Sequence, residues 1–244
     1  MFTRLLIGLD GSPRADQALE QAVQLGHRFG STLVVATVGA GEDSGLLPRA
    51  AERVSAAGLK VETEARTGEP DVELADLAKN VDAVLVGRRG SGTGDGALGP
   101  TVASLIRIAE RCVVVCGAAP SPMNVCAVAY DGGDTSRRAL DLAARFVSVD
   151  DGTVHLIHAA KSKREGLKVV GAAEALLSLQ GVRFVTHVEI GKPGEVVAAV
   201  VRSTGADCLF AGAHVSRGAD RPSQVVSHAE DILRHTDLPV IIQP

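Results

Sequence analysis

The 244-residue chain carries 29 acidic and 25 basic side chains, a net charge of −4 and an isoelectric point near 6.0, so no global basic field draws it to nucleic acid or to an anionic membrane surface. Hydrophobic residues make up 45% and aromatic ones 2%, with no Trp and one Tyr. A core of Val, Leu, Ala and Ile favours parallel strands buried on both faces and argues against aromatic platforms for single-stranded nucleic acid.

Residues 5–9 read as a short buried strand, ended by the turn Asp10-Gly11-Ser12-Pro13. Ser12 is placed to cap the next helix, with Pro13 at its first position and Asp16 in its first turn. Ala15, Leu19, Ala22, Val23 and Gly26 give that helix its apolar stripe, and Gly30 ends it. Residues 32–38 form the second strand, and a polar, acidic connection over 39–45 leads to a helix over 46–57 closed by Gly58. Residues 59–65 alternate, as suits a strand near a sheet edge. A third helix spans 70–79, with acid at its start and Lys79 at its end, as the helix dipole prefers. The fourth strand covers 81–86, the fourth helix 102–110 and the fifth strand 112–116. This alternation implies an α/β fold with a parallel, doubly wound sheet. Such sheets bind ligands beyond the carboxyl ends of their strands, where the strand order reverses. Asp10 follows the first strand and Gly87 the fourth; as neighbours, both reach one crevice.

Between the fourth strand and fourth helix lies GRRGSGTGDGALGPT, residues 87–101, with six glycines in positions 87–99. Glycines suit positive φ and close backbone approach to a ligand, and a helix start adds unpaired N–H groups and partial positive charge. Together they make an anion cradle, with Arg88 and Arg89 adding charge beside it. The motif is not a P-loop, because no Gly-Lys-Ser/Thr closes it, and not a dinucleotide fingerprint, because no GxGxxG follows the first strand. A flexible connector is the plain alternative for the loop taken alone.

The chain repeats itself. Residues 4–12 match 125–133 at an offset of 121, Ala18-Leu19 match Ala139-Leu140, and Gly68-Glu69-Pro70 match Gly191-Lys192-Pro193. Asp82 to Gly87 resemble Asp207 to Gly212, and Val113 to Val115 match Val240 to Ile242. Two modules follow, 1–119 and 123–244, joined near Pro120-Ser121-Pro122. In the second, strands are expected over 125–130, 154–159, 182–190 and 240–242, and helices over 137–147, 167–179, 194–203 and 227–235. Thr135 or Ser136 is expected to cap the first of these helices, and 161–168 to be a solvated basic connection.

The constellation resembles the universal stress protein family in its tandem two-domain form. The resemblance rests on Ile7-Gly8-Leu9-Asp10-Gly11-Ser12, Gly68-Glu69-Pro70 and Val86-Gly87-Arg88-Arg89-Gly90, and covers nearly the whole chain. It implies two tandem Rossmann-like sheets of the adenine nucleotide alpha hydrolase-like type, five-stranded, mostly parallel and packed as a pseudo-dimer through residues 113–115 and 240–242. It also leaves a homodimer open. The family's ATP-binding members carry Gly, two residues, Gly, nine residues, then Gly and Ser or Thr. Here eight residues separate Gly90 from Gly99, and Pro100 precedes Thr101.

By that resemblance the ligand of the first module is ATP, with Mg²⁺ as a possible companion. Asp10 lies beside the adenosine, Leu9, Val38 and Val86 form the adenine walls, and Gly87, Arg89, Gly90, Gly99 and Thr101 face ribose and phosphate. In the second module Val215 replaces the second glycine and Val226 the third. A β-branched residue opposes the left-handed backbone of such cradles, so this half is expected to bind nucleotide weakly or not at all. His214, Arg217 and Arg221 remain there as surface charge or as a site for another anion.

No Ser/His/Asp, Cys/His or metal-ligand set converges with the loop, so a binding and regulatory module is expected rather than an enzyme, with slow ATPase turnover as the most that chemistry suggests. A vestigial loop in a family scaffold that binds no nucleotide, acting through a protein partner, is the competing expectation. No signal peptide is expected ahead of the first strand, and no apolar run reaches membrane-spanning length. The four cysteines lack CxxC or Cys/His spacing, so core thiols in the cytoplasm are expected.

Overall fold

A computed structural model describes residues 1–39, 45–89, 98–213 and 228–244. The described residues divide into two compact units, the first comprising Met1–Pro120 and the second beginning at Ser121.

In the first unit five strands, β1 (Arg4–Leu9), β2 (Thr32–Val38), β3 (Lys60–Arg66), β4 (Ala83–Gly87) and β5 (Cys112–Cys116), lie in the order β3-β2-β1-β4-β5. Every pairing among them is parallel. The connections are α1 (Pro13–Phe29), α2 (Leu46–Ala56), α3 (Pro70–Ala78) and α4 (Pro100–Ile108). The chain walks outward from β1 to β3 and then returns to β4 on the other side, so the order reverses between β1 and β4. The central strands supply the core: Leu5, Leu6, Ile7, Val84 and Leu85 are fully buried. Edge strand β3 keeps only half-buried and exposed residues, which is why its sequence alternates.

Local signals explain most element ends. The Ser12 side chain accepts a hydrogen bond from the Ala15 N–H at 3.2 Å, and Gly30, at φ 67°, closes α1 in the left-handed conformation. At the amino end of β1, Asp82 accepts from the Thr3 N–H at 2.6 Å, the Thr3 hydroxyl at 2.8 Å and the Arg4 N–H at 3.0 Å. Burial pushes the Asp82 carboxyl up, but these donors outweigh it and hold it below its usual value.

The second unit orders β6 (Val125–Ala129), β7 (Thr153–Ala160), β8 (Arg183–Ile190), β9 (Cys208–Gly212) and β10 (Val240–Gln243) as β10-β9-β6-β7-β8, again all parallel. Its helices are α5 (Asp134–Val147), α6 (Lys163–Leu179), α7 (Pro193–Thr204) and α8 (His228–His235). The repeated aspartate plays the same part in both units, since Asp207 accepts from the Asn124 and Val125 N–H groups at 3.0 and 2.9 Å.

Three helix starts differ from the expected ones by two residues or more. α4 begins at Pro100, two residues early, because proline needs no acceptor for a missing N–H at the first position. α5 begins at Asp134 behind Gly133, with no side-chain cap, because the Ser136 hydroxyl is bonded to Asp131 Oδ1 at 2.6 Å. The expected basic connection is largely helix: α6 starts at Lys163, capped by Ser162, whose hydroxyl accepts from the Glu165 N–H at 3.4 Å. Residue 227, the expected start of the last helix, lies outside the described residues.

Candidate functional site

Beyond the carboxyl ends of β1, β2 and β4, in the first unit, lies a cleft of about 490 Å³. Leu9, Asp10, Val38, Val86, Gly87, Arg89, Gly99 and Thr101 all line it. Gly90, the remaining candidate, lies outside the described residues, as do Asp95 and the rest of 90–97.

Each wall has a local cause. Leu9 ends β1 and is buried, while Asp10, one residue on, is exposed at the rim. Asp10 Oδ1 accepts from the Ser12 N–H at 2.9 Å, fixing the turn that starts α1. Val38 ends β2 and Val86 lies near the end of β4, so the walls are aliphatic. Gly87 is explained by packing: a Cβ there would stand 2.8 Å from the Arg14 carbonyl carbon and oxygen in the first turn of α1. The same close approach recurs in the second unit, where a Cβ on Gly212 would meet the Thr135 carbonyl carbon at 2.5 Å. Neither Gly87 nor Gly99 has positive φ, so the expectation of left-handed backbone fails at both.

The two arginines part company. Arg89 lines the cleft. Arg88 is 8% exposed, and its charge acts on the Cys116 thiol, which burial nevertheless pushes up to about 12. Its carbonyl accepts the Gly99 N–H at 3.1 Å, closing the base of the loop. That bond and Pro100 remove two of the amides that an anion cradle would use. Thr101 and Val102, in the first turn of α4, line the cleft, and their N–H groups have no preceding helical carbonyl to bond. The cradle in the described residues is thus a helix start with two such amides and a threonine, with Arg89 on the same lining.

Sequence reasoning missed part of the lining. Gly8, Ala36, Gly39, Gly68, Pro70 and Leu74 also face the cleft. The repeated Gly68-Glu69-Pro70 was the signal that could have found them, since it places the start of α3 at the same strand ends.

In the second unit Tyr130 stands at the position of Leu9 and is buried, and Asp131 stands at that of Asp10. Asp131 Oδ1 accepts from the Gly133 N–H at 2.8 Å and from the Ser136 hydroxyl at 2.6 Å. Ala15, at the place of Ser136 in the first repeat, has no hydroxyl to offer. His214, Val215, Arg217, Arg221 and Val226 lie outside the described residues.

Each unit is thus a doubly wound parallel α/β module, the first with an open crevice at its topological switch point. The chain belongs to the universal stress protein family, whose model matches residues 1–52, 39–117 and 123–244. A universal stress protein from Archaeoglobus fulgidus, 21% identical, superposes with a TM-score of 0.80 over 98% of this chain and 97% of its own. A Pseudomonas aeruginosa protein assigned to the same family, 16% identical, gives 0.75 over 99% and 93%. A universal stress protein solved in complex with cAMP is 28% identical over 47% of this chain and 95% of its own, with a TM-score of 0.41. No curated protein matches the sequence significantly.

Proposed function

We propose that the first unit binds an adenine nucleotide, ATP with or without Mg²⁺, and that the protein acts as a nucleotide-dependent regulatory module of the stress-protein type. The supporting observation is the cleft itself: Asp10, just after β1, and the start of α4 line one hollow of about 490 Å³, a volume that suits a ligand of this size. Leu9, Val38 and Val86 offer apolar walls to a base, Asp10 an acceptor for an amino or hydroxyl group, and Arg89 with the Thr101 and Val102 amides an anion site. Bound nucleotide would change the surface that the first unit offers to a protein partner. The second unit is expected to bind nucleotide weakly or not at all, since Val215 and Val226 stand where the first repeat has Gly90 and Gly99 and the Ser136 hydroxyl donates to the Asp131 carboxylate. The protein is proposed to work in the cytoplasm; among the described residues no helix is long and apolar enough to cross a membrane.

A second reading is a family scaffold that binds no nucleotide. The Gly99 amide bonded to Arg88 and the missing N–H of Pro100 favour it. Mass spectrometry of the denatured purified protein, with thermal denaturation in millimolar ATP–Mg, separates the two. The nucleotide reading expects released adenine nucleotide or a rise in Tm of roughly 5–10 °C at a hundredfold excess over Kd. Neither signal would leave the scaffold.

A further inference from the structure

One face of the second unit carries a feature that the first repeat lacks. β7 and β8 run parallel with His155 opposite Val185 and Ile157 opposite His187, so the two histidines lie on one face of neighbouring strands. His155 Nδ1 is 3.0 Å from His187 Nε2, the ring centroids are 5.3 Å apart, and both rings are half-buried. At the repeat offset of 121, His155 corresponds to Val34; the residue opposite Ala36, the counterpart of Ile157, is Glu64. The first repeat therefore has no counterpart of the histidine pair.

Two imidazoles this close are compatible with one shared proton or one shared cation. Burial, and then the neighbouring His187, holds His155 below its usual value. Burial also lowers His187, against the opposing pull of the Glu189 carboxylate. The neutral ring is the form that ligates metals. Glu189 adds negative potential on the same strand, itself paired with Lys163 at 3.3 Å.

We propose that His155 and His187 form a bidentate site for a borderline divalent cation, copper(II) in preference to nickel(II) or zinc(II). In the hydrogen-bonded pair the centroid separation equals the nitrogen–nitrogen distance plus the two ring radii, so the inner nitrogens point straight at each other, and each ring turns about its Cβ–Cγ bond to converge on one ion. The order of divalent affinities favours copper over nickel and zinc. On binding, the ring that donates the hydrogen bond takes its other tautomer: its proton moves to the outer nitrogen through water, and both inner nitrogens present lone pairs. No third His, Cys, Asp or Glu completes a cluster among the described residues, so water fills the other positions and the ion exchanges readily.

Metal-stripped full-length protein is titrated with copper(II), nickel(II) and zinc(II) chloride separately by calorimetry, and the copper form is examined by electron paramagnetic resonance. The expected spectrum shows a site with two imidazole nitrogens. His155→Gln and His187→Gln each remove that signal and weaken its copper binding by at least about tenfold, since each leaves a single anchor. Both residues are half-buried, and circular dichroism checks that the variants fold. Copper held at other histidines or the amino terminus persists in both variants and is read as background. Copper affinity and spectrum unchanged in both variants would overturn the proposal. So would a wild-type spectrum without two imidazole nitrogens, or zinc bound more tightly than copper.

Discussion

Gly87 and Arg89 sit two residues apart on one cleft but answer to different physics. A side chain on Gly87 collides with the Arg14 backbone at 2.8 Å, and backbone of a capped helix cannot give way as a flexible side chain can. Gly87→Ala is expected to cost about 1–3 kcal/mol in urea unfolding without any nucleotide present, and Gly212→Ala a similar amount against Thr135. Arg89 and Thr101 are half-buried on the cleft lining, and replacing either by Ala is expected to leave stability within about 0.5 kcal/mol. Both replacements are expected to reduce the Tm rise produced by ATP–Mg. If Arg89→Ala leaves that rise intact, Arg89 does not hold the ligand. At the opposite end of the sheet, Asp82 makes its contribution by accepting from Thr3 and Arg4. Its carboxyl is held low in the folded state, so this stability is present above the unfolded value near ~4 and is lost as pH falls through the lower folded value. Asp82→Asn is expected to flatten the acid limb of the stability profile. Because Asp82 is exposed, the effect is about 1 kcal/mol or less.

At the scale of the element, the strands and most helices were legible because burial writes a pattern. Val113 to Val115 and Leu5 to Ile7 are apolar without interruption because both faces of a parallel sheet are covered, whereas β3 alternates because it stands at an edge. The start of α6 is hidden because Lys161 to Glu165 carries no apolar periodicity. A signal is nonetheless present: Ser162 and Glu165 have the Ser-x-x-Glu spacing of a capping box, and Ser162 does cap the helix. The start of α5 misleads for the converse reason, since Ser136 has the right chemistry for a cap but spends its hydroxyl on Asp131. Convergence of residues on the cleft was legible from the repeated turn after β1 and the glycine run after β4. The use of each backbone group was not, because the bond from Gly99 to the Arg88 carbonyl spans a loop whose closure no local pattern encodes. Ser12 gives the cleanest test of an element. Ser12→Ala removes the only side-chain acceptor described for the start of α1 and is expected to cost about 1 kcal/mol in thermal or urea unfolding. No loss would mean that Pro13 and Asp16 suffice to start the helix.

Across the whole molecule, the four thiols report how each unit opens. Cys112 and Cys116 begin and end β5, Cys126 lies in β6 and Cys208 begins β9; none is in a disulfide, all are at most 4% exposed, and the Cys208 thiol lies 3.0 Å from Cys126 Sγ. Burial pushes the Cys112 and Cys116 thiols up to about 12, so at pH 8 only a minute fraction is thiolate, the species that attacks a disulfide reagent. Reaction therefore requires opening of a buried strand rather than fraying of a surface loop. In native protein at pH 8, an aromatic disulfide reagent is expected to titrate none of the four thiols on the timescale in which it titrates all four in denaturant. Slow native labelling then measures the free energy of opening, and peptide mapping assigns it to Cys112 and Cys116 in the first unit or to Cys126 and Cys208 in the second. If nucleotide binds only at the cleft of the first unit, ATP–Mg is expected to slow labelling of Cys116, which neighbours β4 across the Gly87–Cys116 register, more than that of Cys126. Equal slowing at both would contradict a site confined to the first repeat, and rapid native labelling at any of the four would contradict the packing of these strands.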